Sequence, residues 1–320
     1  MPRLVTILLF EEANLFTLSC LHEVFYLANF LSKKGEEYVL QVCSLEGGIV
    51  HTREGLPVVT DPIADFTGKN LDTLIVGGGA GYEATMRNQK FLTAVKKGAQ
   101  LARRVACVGA GVFVGAEAGL FDGKRATIHP TVFEEFCSRF PAVKADSISL
   151  YTKDGKLWSA PGMASAVDLA LACVEEDLGY PASIDIARYL VIYMRRHETQ
   201  SQISLMLDFQ SRTSRFFKLN QWIIENLGKK LSIDQLAARA NMSRRTLSRL
   251  YTKEMGKSPA KMIAQLRIEA ALIALRDSNA NMASIAYQCG FDNEDRMRRA
   301  FLLAFGKPPS VFRQKRRVSD

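Results

Sequence analysis

Residues Leu231 to Arg313 contain the same unit twice, about fifty residues apart, and this duplication constrains the chain more than any other feature. Leu236-Ala237, Leu247, Arg249, Tyr251 and Gly256-Lys257-Ser258-Pro259 are echoed by Ile285-Ala286, Met297, Arg299, Phe301 and Gly306-Lys307-Pro308-Pro309. Repetition at a fixed period marks a repeated structural unit. Each copy reads as a short helix, a tight turn and a second, arginine-rich helix, the layout of a helix-turn-helix. In the first copy Asn241-Met242 forms the turn and Ser243 can cap the helix that follows; in the second, Gly290-Phe291 precedes Asp292 or Asn293 as the cap.

Residues three and four apart share a helix face. Leu247, Leu250 and Tyr251 therefore point to a core and leave Arg245, Ser248 and Arg249 outward; Met297, Ala300 and Phe301 leave Asp295, Arg298 and Arg299. Arginine on such a face can bind guanine O6 and N7 through two bonds, and serine or aspartate can meet other base edges. Arg244, Thr246, Asn293 and Arg296 complete the expected DNA-binding set. A basic helical face is usually only solvated, but two matching faces in matching contexts argue for a shared task. Between the units, Pro259 to about Leu275 reads as a helix of 17 residues, a rod of about 25 Å. Such a rod can hold two reading helices for successive major grooves, one DNA turn of roughly 34 Å apart.

The charge division agrees. Residues 216–320 hold 20 Lys or Arg against 9 Asp or Glu, net +11, whereas residues 1–215 hold 22 against 24, net −2. A near-neutral body with a basic C-terminal third fits a polyanion-binding module, and no basic amphipathic helix with an apolar wedge points to a membrane surface instead. The six cysteines, Cys20, Cys43, Cys107, Cys137, Cys173 and Cys289, include no CxxC pair and no histidine at ligand spacing, so zinc and disulfides are not expected. No cofactor is expected either. The run Leu4 to Phe10 is too short for a signal peptide core, and no apolar segment approaches the roughly 20 residues of a membrane span. The expectation is a cytoplasmic protein.

Length implies two domains. In the first, Leu4 to Phe10, Tyr38 to Ser44, Thr73 to Val76 and Val105 to Val108 read as buried strands. Ser147 to Tyr151 and Leu157 to Ala160 are further candidates. Helices are expected at Ser19–Lys34, Ala84–Ala102, Val112–Gly119, Thr131–Phe140, Ala164–Leu178 and Ile184–His197. The alternation predicts an α/β domain with a mostly parallel sheet, whose ligands bind beyond the carboxyl ends of the strands. Two glycine-rich turns lie there: Gly77 to Gly81, including Gly78 and Gly79, and Gly109-Ala110-Gly111. With Gly115 the second spells GxGxxxG, but it comes several strands into the sheet and lacks a suitably placed acid for a dinucleotide.

The segment 216–313 resembles the DNA-binding domain of AraC/XylS-type transcription regulators, on the duplicated unit and on Ile285-Ala286, Gly290-Phe291, Phe301, Gly306 and Pro309. Val105 to Pro130 resembles the nucleophile-turn region of ThiJ/PfpI-like, class I amidotransferase-like domains, sharing Ala118-Gly119-Leu120, Asp122-Gly123, Thr127 and His129. Together they resemble regulators that fuse the two. The resemblance implies a flavodoxin-like sheet with helices on both faces at residues 1–197, a linker at 198–215 and an all-α domain with two helix-turn-helix units at 216–320. Relatives carry a cysteine where Gly109 stands, and Cys107 lies two residues earlier on the strand, without the exposure of a sharp turn. The family's acid falls near Phe16-Thr17, and Glu23 matches its E-V-F run with Val24 and Phe25.

The expectation is therefore a DNA-binding regulator, an activator acting with RNA polymerase as a homodimer. Its first domain has lost catalysis and senses a small metabolite, such as an amino acid or a quaternary amine. Glu23, Gly78, Gly79, Gly109, Ala110 and His129 are the expected ligand residues, because exposed N–H groups can hold a carboxylate without consuming it. The competing reading is a cysteine-dependent hydrolase or amidase using Cys107, with an appended DNA-binding tail; a purely architectural DNA binder is a third.

Overall fold

The computed structural model describes residues 2–32, 35–63, 71–192, 196, 198, 215–277 and 280–313. The chain divides into two compact units, Met1–Gln202 and Ile203–Asp320. Of residues 198–215, expected as a linker, only Glu198 and Arg215 lie among the described residues.

The first unit is built on an eight-stranded sheet. Its strands are β1 (Arg3–Leu8), β2 (Tyr38–Ser44), β3 (Gly48–His51), β4 (Pro57–Pro62), β5 (Leu71–Val76), β6 (Arg104–Val108), β9 (Thr152–Asp154) and β10 (Leu157–Ala160), in the order β3-β4-β2-β1-β5-β6-β10-β9. Pairing is parallel except at the two ends, where β3–β4 and β10–β9 are antiparallel. Two short strands, β7 (Arg125–Thr127) and β8 (Lys144–Asp146), pair separately. The helices are α1 (Leu15–Leu31), α2 (Tyr82–Arg87), α3 (Gln89–Leu101), α4 (Gly111–Glu117), α5 (Phe133–Arg139), α6 (Ser165–Leu178) and α7 (Tyr180–Tyr189).

Alternation along the strands feeds two cores. Val5 and Ile7 of β1, Ile75 of β5, and Ala106 and Val108 of β6 join one cluster with α1, α6 and α7. Leu8, Leu74, Val76, Val105 and Cys107 join the other with α2 to α5. Both faces are covered, which is why these strands read as continuous apolar runs. Local departures from the sequence reading have local causes. The strand expected at Ser147–Tyr151 is absent, because the Asp146 carboxylate accepts from Ile148 N–H and Ser149 N–H and from the Ser149 hydroxyl, turning the chain. The helix expected over Ala84–Ala102 is two helices, since the Asn88 side chain caps α3 by accepting from Lys90 and Phe91 N–H. Pro181 lies in the first turn of α7, which begins earlier than expected and ends at Tyr189; the end of the stretch to His197 lies partly outside the described residues.

A buried charge network pins β6 to α6. Arg104 is 1% exposed; its guanidinium donates to Asp177 at 2.8 Å and Glu176 at 2.6 Å and lies 5.1 Å from the centre of the Trp158 ring. Tyr38 Oη donates to Asp177 at 3.0 Å. Burial opposes the charged carboxyl of Asp177, but the Arg104 hydrogen bonds and charge outweigh it and hold its pKa below the ordinary aspartate value.

The second unit contains α8 (Phe217–Glu225), α9 (Ile233–Arg239), α10 (Arg244–Met255), α11 (Pro259–Asp277), α12 (Met282–Gln288) and α13 (Glu294–Phe305). It has two cores, and α11 serves both: Met262, Ile263 and Leu266 pack with α8 to α10, while Ala271, Leu272 and Leu275 pack with α12 and α13. At the junction Arg267 donates to the carbonyls of Leu227 at 3.1 Å and Lys229 at 2.7 Å.

Removing one partner of a buried ion pair strands the other. Asp177→Ala in the full chain is therefore expected to lower stability of the first unit by about 3 kcal/mol or more, read by urea denaturation; an unchanged midpoint would refute the role given to this network. Because the folded pKa of Asp177 is depressed, its contribution is complete at neutral pH and is lost as pH falls below the ordinary aspartate range. The difference between wild type and variant should shrink there.

Candidate functional site

The two helix-turn-helix units repeat in detail. Ser232 and Asn281 cap α9 and α12, and Ser232 also forms a capping box with Gln235. Ser243 accepts from Thr246 N–H at the start of α10, and Asn293 accepts from Arg296 N–H at 2.8 Å at the start of α13. Each second helix ends at a glycine in the left-handed region, Gly256 with φ 72° and Gly306 with φ 65°. Leu247 and Tyr251 of α10, and Met297 and Phe301 of α13, are fully buried. The helices thus have the expected inner faces.

The outer faces differ in charge presentation. Arg245 and Arg249 are exposed and have no ion pair among the described residues, while Ser248 is half-buried. Arg244 pairs with Asp234 of α9, and the Thr246 hydroxyl lies 2.9 Å from that of Ser243. In α13 every arginine is paired: Arg296 with Asp292, Arg298 with Asp295 at 3.0 Å, and Arg299 with Asp295 at 2.7 Å. Asn293 is engaged as the cap. The arrangement presents two exposed, arginine-bearing helix starts.

In the first unit the registers Leu8↔Val76 and Val76↔Cys107 align the carboxyl ends of β1, β5 and β6, so the turns that follow them converge. The main chains approach closely. A Cβ at Gly78 would lie 2.7 Å from the Val108 carbonyl oxygen, and one at Gly111 would lie 2.4 Å from that of Val76. Gly109 has φ 60°, the backbone of a sharp strand-to-helix turn, and α4 starts two residues later. A Cβ at Gly109 would meet nothing nearer than 3.7 Å. The turn therefore has the shape and the room for a side chain but carries none.

The other expected ligand residues are distributed around this turn unequally. Gly78 and Ala110 lie against each other, and Gly79 follows directly with its Cα packed on the Glu12 carbonyl. Thr17, at the place of the family's acid, is buried, and its Oγ1 accepts from Met163 N–H at 3.1 Å beside Gly162, which in turn packs on Gly109. Glu23 is exposed on the outer face of α1. His129 is also exposed, with Nδ1 2.7 Å from the Thr131 hydroxyl and capping the 3-10 turn Pro130–Val132. No hydrogen bond links Glu23 or His129 to the Gly109 turn among the described residues. Cys107 is fully buried on the opposite face of its strand from Val108; it packs against Gly115, and desolvation pushes its thiol up to about 12.

A cavity of about 600 Å³ also opens at the carboxyl ends of β1 and β2. Leu9, Phe10, Val50 and Phe91 are among its apolar lining residues, and Glu11, Glu12 and Glu46 are its acidic ones; no Lys, Arg or His lines it among the described residues. Glu12 has φ 58°, and its main chain bridges His51 and Ala80. Sequence reasoning missed this cavity because β3 and β4 were not anticipated as a hairpin.

The geometry defines a class: an α/β domain with a left-handed strand-to-helix turn at the carboxyl edge of its sheet, followed by a paired helix-turn-helix module. The DJ-1/PfpI family model matches residues 5–176 and a helix-turn-helix domain model matches residues 236–315. The chain belongs to the DJ-1/PfpI family and carries an AraC-type DNA-binding domain; it is a DNA-binding transcription regulator. It is 27% identical over 314 residues to the HTH-type transcriptional regulator GbdR of Pseudomonas aeruginosa, spanning 98% of this chain and 84% of that one. It is 29% identical over 225 residues to the HTH-type transcriptional regulator ArgR of the same species, 68% and 67% of the two chains. In fold it is similar to a ThiJ/PfpI family protein from Pseudomonas syringae, with TM-score 0.54 and 15% identity over 70% of this chain and 87% of that one. An AraC family transcriptional regulator from Pseudomonas putida gives TM-score 0.51 and 23% identity over 59% of this chain and 100% of that one. No described helix is long and apolar enough to cross a membrane.

Burial keeps the Cys107 thiol protonated and away from solvent near neutral pH. Peptide mapping after treatment of the native protein with a thiol probe is expected to find Cys107 unlabelled, with labelling only after unfolding; rapid native labelling would restore the hydrolase reading.

Proposed function

We propose that this regulator couples a non-catalytic sensor domain to a DNA module that reads base edges with α10 and α13. The observation that carries the sensor reading is Gly109, a left-handed turn with space for a nucleophile and no side chain to act as one. A group that cannot attack can still bind. The main-chain N–H groups of the glycine turns suit a carboxylate, and the acid-lined cavity beside β1 and β2 suits an amine or quaternary ammonium with an apolar body. A small zwitterion or quaternary amine is the effector class these features favour. Its binding alters DNA occupancy by the second unit, and the family resemblance adds activation through RNA polymerase, a homodimer and a cytoplasmic location.

In the DNA module Arg245, Ser248 and Arg249 of α10 and Asp295, Arg298 and Arg299 of α13 are the assigned readers, with Arg244, Thr246, Asn293 and Arg296 at the helix starts. The Asn293 and Thr246 side chains contribute through capping contacts, and the arginines through direct contact with DNA. On an operator obtained by selection from random sequence, Arg249→Ala and Arg299→Ala are each expected to cost about 1–3 kcal/mol of binding at fixed salt and to relax preference at single positions. Unchanged affinity and preference in both variants would refute the assignment.

A thermal-shift screen of the full chain with small amines, amino acids and quaternary ammonium compounds tests the sensor. A ligand of the native state raises the first transition by mass action. The expected hit is lost in Glu12→Gln or Glu46→Gln if the cation occupies the cavity. Turnover of any hit would contradict the non-catalytic reading.

A further inference from the structure

The two reading helices are matched in shape and opposed in charge at their starts. At the first two helical positions α10 has Arg244 and Arg245, whereas α13 has Glu294 and Asp295. Counted over their full lengths, Arg244–Met255 carries net +3 and Glu294–Phe305 net +1. The difference is larger than the totals convey. Arg245 and Arg249 stand unpaired on α10 among the described residues, while one carboxylate, Asp295, holds both Arg298 and Arg299 at 3.0 and 2.7 Å. The spacing i to i+3 and i+4 makes such pairing a property of the helix itself.

Exposed pairs of this kind add little to stability, so they can be exchanged for a better acceptor. A guanine edge offers two aligned acceptors to one guanidinium. Phosphates offer charge everywhere along DNA without sequence, and a carboxylate beside the arginines repels them.

We propose that Asp295 is a specificity-setting residue: it withholds Arg298 and Arg299 from non-specific phosphate contact, so that the unpaired arginines of α10 meet phosphate on any DNA as well as base edges, while α13 engages only where base edges outcompete the carboxylate. This rests on the reading of α10 and α13 as the DNA-facing helices. Asp295 acts here as an internal competitor, with cytosine N4 as a partner it can accept from once the arginines have moved to guanine.

The test uses the full-length protein and a mixed-sequence DNA duplex containing no selected operator, with binding followed by fluorescence anisotropy between about 50 and 200 mM salt. Asp295→Asn and Asp295→Ala are both expected to bind this duplex several-fold more tightly. Their plots of log affinity against log salt should steepen by about 0.9 for each arginine released to phosphate. Preference for a selected operator over the mixed duplex should fall. The mirror change in the first unit, Arg245→Asp, should weaken mixed-sequence binding and flatten the slope. Circular dichroism of each variant confirms that the helices are intact. The proposal is overturned if both Asp295 variants leave affinity and slope unchanged, or bind the mixed duplex more weakly while folded. If the wild type shows no salt-dependent binding to the mixed duplex, the reading beneath the proposal falls with it.

Discussion

Main-chain crowding at the carboxyl edge of the sheet sets the shape of the first unit. The ends of β1, β5 and β6 are held in register, and the turns after them pass so close that a methyl at Gly78 or Gly111 would overlap a carbonyl oxygen. Gly109, with φ 60°, takes the left-handed conformation between these crowded turns. In this architecture chemistry and shape are separable. The shape of such a turn does not depend on its carrying a nucleophile, and exposed main-chain amides at a turn suit recognition of an anion.

The second unit depends on α11 in the same way. Nineteen residues give a rod of about 28 Å, and its two halves close separate cores. Between them Arg267 holds the chain after α8 through two carbonyls, and Gly290, with φ 80°, packs on the Leu227 carbonyl oxygen, where a Cβ would lie at 2.2 Å. The turn of the second helix-turn-helix is thereby fastened to the segment that leads into the first. α10 and α13 are thus tied to one rod by packing.

The sequence showed this second unit almost completely, because its signals are local: a cap, an apolar pair, an arginine face and a terminal glycine, written twice. Repetition removed the ambiguity that each signal has alone. The first unit was legible in its buried strands and in the missing cysteine at Gly109. The β3–β4 hairpin and the cavity beneath it were not, since Ile49 and Val59 face outward and break the expected alternation of a half-buried pair. The placement of Glu23 and Thr17 shows the same limit. A motif match named Glu23, but helix phase turns it outward, while Thr17 comes to the Gly109 turn through a long-range contact with Met163. Proximity across elements is a tertiary fact, and no local pattern encodes it.

Helix electrostatics distinguish α10 from α13. The start of a helix carries partial positive charge, so Glu294 and Asp295 favour α13 while Arg244 and Arg245 oppose α10. The Ser243 cap and the Arg244–Asp234 pair offset part of that cost in α10. Where a chain keeps an unfavourable charge at a helix start, in a unit whose twin shows the favourable choice, helix stability does not account for it. Positive charge at a helix start is what a polyanion would need there, since a phosphate so placed would be met by arginine and orphan N–H groups together, and a charge that weakens a free helix would then strengthen a bound one.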